Sequence, residues 1–306
     1  MKIFVTGASG FIGSSVVEEL VRAGHTVTGL ARSAPSSELI KKLGGTPILG
    51  SLTDLEILKK SAGDSDGIIH TGFIHDFSKF AENCKIDQTA IETMASAIRG
   101  TSKPLVVTAG LVDIDKKGPV AQEDDHLSKS AELTPRQSEQ TALRLFQEHQ
   151  INTRVVRLAP AVHGDGPHGF MAGFATVLIG IAKKTGKSAY IGDGSNLWTG
   201  CHRLDAGQLY RLAFEKGEGG ARYHGVEKVR VSFKDLAKTI GEKLDLPVVS
   251  LSDDEAAQHF GWFTKIAQTT LIGERTQTDA KLGYKPNHLD LVADLKRATL
   301  PLETNY

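Results

Sequence analysis

The sequence predicts an α/β fold: a doubly wound parallel sheet with helices on both faces, followed by a smaller C-terminal cap. Two observations carry that expectation. Through the first half of the chain, short apolar runs alternate with longer amphipathic stretches. The first run, KIFVTG, leads through a turn holding Gly7, Gly10 and Gly13 directly into the helical pattern SSVVEELVRAG. Repeated strand–helix units place successive strands side by side and parallel, because each helix carries the chain back across a sheet face.

The remaining strand candidates follow in order as HTVTGLAR, TPILGS, GIIHTG, PLVVTAG and TRVVRLAP. Between them, apolar residues recur at helical spacing near 11–24, 36–43, 54–62, 78–99 and 136–150. After Pro160 the pattern loosens. GDGPHGF, TGKSAYIGDGSN and GEGG read as glycine-rich loops between helices near 171–184, 203–216 and 232–244. Residues 1–162 therefore read as the body and 163–306 mainly as the cap, with a stretch near 197–227 returning to the body.

Composition excludes several classes of function. Hydrophobic residues make up 40% and charged residues 24% of the 306 positions, as in ordinary globular proteins. The 36 basic and 36 acidic residues cancel and form no basic stripe, so neither nucleic acid nor an anionic membrane is an expected partner. Cys84 and Cys201 make no disulfide framework and no CxxC metal pair. The chain enters a strand at once without a signal-peptide pattern, and no run approaches the about 20 apolar residues of a membrane span. A cytoplasmic location is expected.

The glycine turn carries the first chemistry. One glycine permits the tight turn, another lets backbone approach a pyrophosphate, and a third lets the helix pack closely on the strand. The helix N-terminus then offers free N–H groups and partial positive charge to phosphate. This marks Gly7, Ser9, Gly10, Phe11, Ile12 and Gly13 as a cofactor cradle. The next strand ends at Arg32-Ser33, and the first acidic residue beyond it, Glu38, is separated by Pro35, Ser36 and Ser37. An acidic strand end binds the ribose hydroxyls of NAD, whereas an arginine accommodates the 2′-phosphate of NADP. NADP(H) is the expected cofactor, with NAD the alternative.

TGASGFIG, the Arg32 strand end, IIHTG and the late segment TDAKLGYKP together resemble the short-chain dehydrogenase/reductase superfamily, in its extended, epimerase-like branch. The resemblance spans nearly the whole chain. It implies a Rossmann-type fold, a nicotinamide cofactor and a substrate cap. It adds Ser51, Leu52, Thr71, Gly72, Phe73, Thr108 and Pro160 to the cofactor-binding set, with Pro160 near the nicotinamide end. It further suggests a homodimer through the helices near 78–99 and 136–150.

The branch usually carries a Tyr-x-x-x-Lys pair, an upstream Ser or Thr and a helix Asn. Here no tyrosine precedes Tyr190; Ala131 and Pro135 stand at the expected spacing, Gly110 replaces the serine, and Thr108 lies two residues away. This is similar to atypical members with an eroded tetrad. Asp87 occupies the asparagine's place. Phe77, Phe80, Cys84, Asp87, Ile91, Met94 and Ile98 follow steps of three and four, which puts Asp87 on the apolar stripe. There its carboxyl must be hydrogen-bonded or protonated.

His163, His168, Phe170, Trp198 and His202 form the expected substrate-binding set, with Arg203 and Asp205 beside them. No compact metal-ligand spacing links the histidines. The resulting expectation is NADPH-dependent reduction of a small aldehyde or ketone. The alternatives are a non-catalytic NADP-binding redox sensor and a sugar-nucleotide epimerase or dehydratase. For a reductase, the proton donor would be Asp87 (if burial keeps it neutral), Thr108, His168, His202 or a bound water.

Overall fold

The computed structural model describes residues 1–128 and 135–298, and for residues 77, 171 and 172 only the backbone. The body alternates β1 (Lys2–Thr6), α1 (Phe11–Arg22), β2 (Thr26–Ala31), α2 (Ala34–Lys42), β3 (Thr46–Leu49), α3 (Leu55–Gly63), β4 (Gly67–His70), α4 (Phe80–Ala97) and β5 (Leu105–Gly110). A short ribbon, β6 (Ile114–Asp115) and β7 (His126–Leu127), precedes α5 (Ser138–His149) and β8 (Thr153–Leu158). Beyond Pro160 come β9 (Ala161–Gly166), β10 (Gly169–Gly173), α6 (Phe174–Thr185), β11 (Ser188–Ile191), β12 (Leu197–His202), α7 (Arg203–Lys216) and β13 (Arg222–Gly225). The chain continues through β14 (Arg230–Ser232), α8 (Phe233–Leu244), β15 (Val248–Leu251), α9 (Asp253–Phe260), α10 (Thr264–Gln268), α11 (Thr276–Leu282) and α12 (Leu291–Arg297).

The main sheet has seven strands in the order β13-β8-β5-β4-β1-β2-β3, every neighbouring pair parallel. Strands covered on both faces read as continuous apolar runs, which is why Ile3, Phe4 and Val5 in β1 and Leu105, Val106 and Val107 in β5 are all buried. Strand order reverses between β1 and β4. That reversal opens a crevice at the carboxyl ends of the two strands, where open α/β sheets bind ligands.

β12 stays in the cap sheet, and the chain returns to the body only with α7 and β13. α7 lies along α1, where Ser15 donates to the Arg203 carbonyl at 2.8 Å, and β13 adds the seventh strand beside β8. At Gly207 a Cβ would stand 2.7 Å from the Ser15 carbonyl oxygen, so glycine sets this close helix approach. The cap has its own four-stranded sheet, β10-β9-β12-β14, and a core around Trp198, Phe233, Phe260 and Phe263. GDGPHGF is not the open loop its glycines suggest. It is the turn of the β9–β10 hairpin, with Gly166 opposite Gly169. The helix expected from residue 171 begins at Phe174 because Gly173, at φ 78°, ends the strand.

The apolar stripe of α4 packs into the body: Cys84, Asp87, Ile91, Met94 and Ile98 are all buried. The stripe thus has a partner within the chain. The outward side of α4 is polar, and its Glu92 accepts from Arg144 of α5 at 2.6 Å.

Cap and body are joined by a buried ion cluster. His163 on β9 is fully buried, with Nδ1 2.8 Å from Asp294 on α12 and Nε2 bonded to Glu227. Burial disfavours its charge, but the two carboxylates outweigh that and raise its pKa to about 9. The folded value lies above that of a free imidazole, so the stabilisation is complete below pH about 6.5 and lost as pH rises through about 9. Replacing His163 with Ala leaves two carboxylates uncompensated and is expected to cost about 3 kcal/mol. Urea unfolding at pH 6.5 and 9.5 checks this: the difference between wild type and H163A shrinks at the higher pH.

Candidate active site

The glycine turn adopts the conformation its spacing demands. Gly7 has φ 66°, and a Cβ there would stand 2.7 Å from the Gly72 nitrogen. At Gly13 a Cβ would lie 2.0 Å from the Gly7 carbonyl oxygen. No side chain other than hydrogen fits at either point, so α1 starts tight against β1 and β4. Gly10 is the N-cap of α1 and supplies no side-chain cap bond. The first-turn N–H groups are therefore left for a ligand.

These residues line a cavity of about 820 Å³ along the switch point. At one end, Arg32 and Ser36 stand with Leu30 beside Ser51, Leu52 and Thr53. Ser33 is absent from the lining. It caps α2, its Oγ accepting from the Ser36 N–H. Ser9, Thr71, Gly72, Phe73, Thr108 and Pro160 all face the cavity. The rest of the lining mixes apolar Phe80, Leu111, Val112 and Phe174 with Asp113, Arg136, Ser138 and Gln140.

Thr108 reaches the cavity, but its hydroxyl is committed. Oγ1 donates to the His70 carbonyl at 2.7 Å and accepts from the Tyr210 hydroxyl at 2.6 Å. Burial pushes the Tyr210 phenol up, so it stays a neutral donor. His168, on the β9–β10 turn, donates from Nε2 to the Ser9 carbonyl at 2.7 Å. It thereby ties the cap to the glycine turn.

Asp87 is buried and charged. Its Oδ2 accepts from Ser138 at 2.5 Å, and its Oδ1 accepts from Arg136 and from His70 Nε2, each at 3.2 Å. The Thr6 hydroxyl, which accepts the Gly72 N–H at 3.2 Å, donates to His70 Nδ1 at 2.7 Å. Burial pushes the Asp87 carboxyl up, but Arg136, His70 and Ser138 outweigh it and hold the pKa at about 2. The neutral Asp87 that burial alone suggests is therefore corrected: opposite charge and donors keep it ionised.

Among the lining residues that the sequence does not mark as site residues, Arg136 and His75 bear most on the chemistry. Arg136 lies 4.4 Å over the Phe73 ring, donates from Nε to Ser138 at 2.7 Å and keeps 21% of its side chain exposed. Its signal was indirect: a carboxylate on an apolar stripe calls for a cation, and Arg136 opens the pattern that becomes α5. His75, beyond β4, also lines the cavity, where desolvation and then Arg136 push its imidazole below the ordinary histidine range. Among the described residues the lining contains neither tyrosine nor lysine. Of the positions matched to the usual pair, Ala131 lies outside the described residues and Pro135 precedes α5.

The other expected substrate residues do not line this cavity, and packing accounts for where each one sits. Trp198 is fully buried in the cap core, 5.2 Å from Phe233 in an edge contact, with Nε1 donating to the Thr269 carbonyl. Phe170 is buried in the same core. His163 is enclosed by its two carboxylates. His202 caps α7, accepting the Leu204 N–H, and stacks on His288 at 4.4 Å. Burial and the neighbouring His163 and His288 lower its pKa to about 4. His202, Asp205 and His288 place one ligand atom each within 4.8 Å of one another. However, Asp205 already accepts two backbone N–H groups and the His288 ring.

Comparison with known proteins agrees with this architecture. The family model described as the NAD dependent epimerase/dehydratase family matches residues 3–226. An uncharacterized protein of Schizosaccharomyces pombe is 41% identical over 295 residues, covering 96% of this chain and 98% of that one. A 4-hydroxy-2-methyl-3-oxo-4-farnesyl-3,4-dihydroquinoline-1-oxide ketoreductase of Stigmatella aurantiaca is 26% identical over 276 residues, covering 85% of this chain and 80% of the relative. The structure of a UDP-glucose 4-epimerase of Thermotoga maritima, solved with UDP-glucose, shares the fold with a TM-score of 0.74 at 19% identity, covering 98% of this chain and 97% of that one. The glycine turn, the switch-point crevice and the family match all fall within the same stretch of chain, which belongs to the NAD dependent epimerase/dehydratase family.

Proposed function

We propose that the protein is an NADPH-dependent reductase of a small aldehyde or ketone. The observation that carries the proposal is the single cavity with two unlike parts. One part joins the uncapped α1 terminus to Arg32, and another sets the apolar Phe80, Leu111, Val112 and Phe174 in the same cavity as Arg136. The glycine cradle, where any Cβ would collide, fits a pyrophosphate approached by backbone alone. Gly10, Phe11, Ile12 and Gly13 would hold the phosphates, Arg32 and Ser36 the 2′-phosphate, and Thr71, Gly72 and Pro160 the part toward the nicotinamide. When bound, the reduced nicotinamide supplies a hydride.

The protein's own residues do the rest. Phe80, Leu111, Val112 and Phe174 would give the substrate an apolar wall, which supports an uncharged organic carbonyl compound. His168 fastens the hairpin over the glycine turn. Epimerisation or dehydration would need a positioned base at this end. Asp87 cannot serve as one because Arg136, Ser138 and His70 already occupy its oxygens. The ketoreductase relative supports the choice of a reduction.

NADPH is expected to bind more tightly than NADH by about tenfold or more, since about 1.4 kcal/mol from one charged contact suffices. Fluorescence titration of both cofactors checks this, and Arg32→Ala should abolish the preference while leaving NADH binding unchanged.

The Asp87 network gives a second expectation. Its folded pKa of about 2 lies below the ordinary 3.8, so the stabilisation is present above pH 3.8 and lost as pH falls through about 2. Asp87→Asn should lower stability at pH 7 by about 2 kcal/mol. Denaturant unfolding followed from pH 7 down to pH 3 should show the difference from wild type beginning to close below about pH 4.

A further inference from the structure

We propose that the tip of the β9–β10 hairpin is a strap over the dinucleotide cradle, latched by His168 and lifted whenever a cofactor enters or leaves. The proposal rests on the dinucleotide reading of the cavity and adds how that cavity opens.

The hairpin runs along the cavity. Pro160 and Gly173 at its root line the part assigned to the nicotinamide, and His168 at its tip lines the same cavity beside the glycine turn. A dinucleotide held from Gly10 to Pro160 would therefore lie alongside the hairpin from pyrophosphate to nicotinamide.

The root is fixed and the tip is not. From Ala161 to His163, β9 pairs with β12 on one side and with β10 on the other. His163 and Phe170 are buried, and between them Asp165, Pro167 and His168 are exposed. The β9–β10 register shifts between Gly169 and Met171, so the ladder breaks where the tip begins. Gly164 and Gly169, at φ 113° and 111°, stand on either side of it. Glycine enters such conformations at little steric cost, which suits two points about which a short segment pivots.

Two attachments of unequal strength hold the tip to the body. Buried Arg203 donates to the Asp165 carbonyl at 3.1 Å, the Phe11 carbonyl at 3.2 Å and Ser14 Oγ at 2.9 Å. That pins the start of the tip to the first turn of α1. Next, Gly166 lies against the Phe11 ring, where a Cβ would stand 2.8 Å from the ring carbons. The far side is held by His168, whose Nε2 donates to the Ser9 carbonyl at 2.7 Å. Several buried bonds from a guanidinium outlast one bond from an exposed side chain. The tip therefore hinges at Arg203 and releases at His168.

This arrangement has a kinetic signature. The His168–Ser9 bond joins two groups of the protein and needs no cofactor, so it must break on the way in and on the way out. Losing it speeds both steps by the same factor and leaves the affinity nearly unchanged. A side chain that merely gripped the cofactor would instead change release alone. His168 is thus a positioning residue that acts through the Ser9 carbonyl.

Stopped-flow fluorescence of NADPH with the full chain compares wild type with His168→Ala, a replacement at an exposed position. Association and dissociation rate constants should both rise about fivefold, the factor one net hydrogen bond is worth, while Kd stays within about twofold. Dissociation within about twofold of wild type overturns the proposal. Faster dissociation with unchanged association overturns it as well, since His168 would then hold the cofactor rather than the strap.

Hydrogen exchange of the full chain without cofactor reads the latch separately from the guest. Backbone amides within 165–169 should exchange about fivefold faster in His168→Ala, with those of β1 unchanged; equal exchange at the tip overturns the latch. Should neither NADPH nor NADH bind wild type, the dinucleotide reading fails. Faster exchange at the tip would then leave the latch standing and overturn only its assignment to a dinucleotide.

Discussion

The arrangement of this protein depends on one buried carboxylate. Asp87 sits on the inner face of α4, where an ionised group is tolerated only with a full set of donors. Those donors come from β4, through His70 at its end, and from the start of α5, through Ser138 and Arg136 just before it. Satisfying one charge thus fixes how two helices meet the sheet beside the switch point. Through His70 and Thr6 the same chain of bonds reaches Gly72, which packs against the glycine turn. The wall of the cavity and the start of α1 are therefore set by one network.

A second ionic junction does for the cap what Asp87 does for the body. His163 joins β9 to α12 and to the segment after β13, in a place where packing alone would leave three polar groups buried. The two networks titrate at opposite ends of the pH scale, one weakening in acid and the other in base. Between them lies the range in which both hold the cavity in shape. Such buried pairs contribute little net stability against an apolar alternative, but removing one partner strands the other. Their effect is on which geometry is formed.

The sequence revealed most of the body because strand and helix periods are local. The six strands read from apolar runs are β1, β2, β3, β4, β5 and β8, and the glycine turn stands where its spacing put it. The α4 stripe correctly placed Asp87 inward, but periodicity names a face and not a partner. Burial alone favours a neutral carboxyl, and it is the Arg136 contact, invisible to periodicity, that keeps it charged. His163, Trp198 and His202 point toward a ligand in the sequence because their neighbours in the chain are polar loops. In space they face the cap core, two carboxylates and the start of α7. GDGPHGF misled for a related reason, since glycines that permit a loop also permit a hairpin turn. Arg136 and His75 carried no motif. What brings them to the cavity is the crossing of α4, α5 and the β4 end, which is a tertiary fact.

The central claim is that this cavity moves a hydride from a nicotinamide to a carbonyl carbon. Mass spectrometry of the alcohol formed from NADPH deuterated on the transferable C4 position tests that claim directly. The account predicts one deuterium per product molecule, on the carbinol carbon. An alcohol formed without deuterium from either C4 face of the cofactor would contradict it.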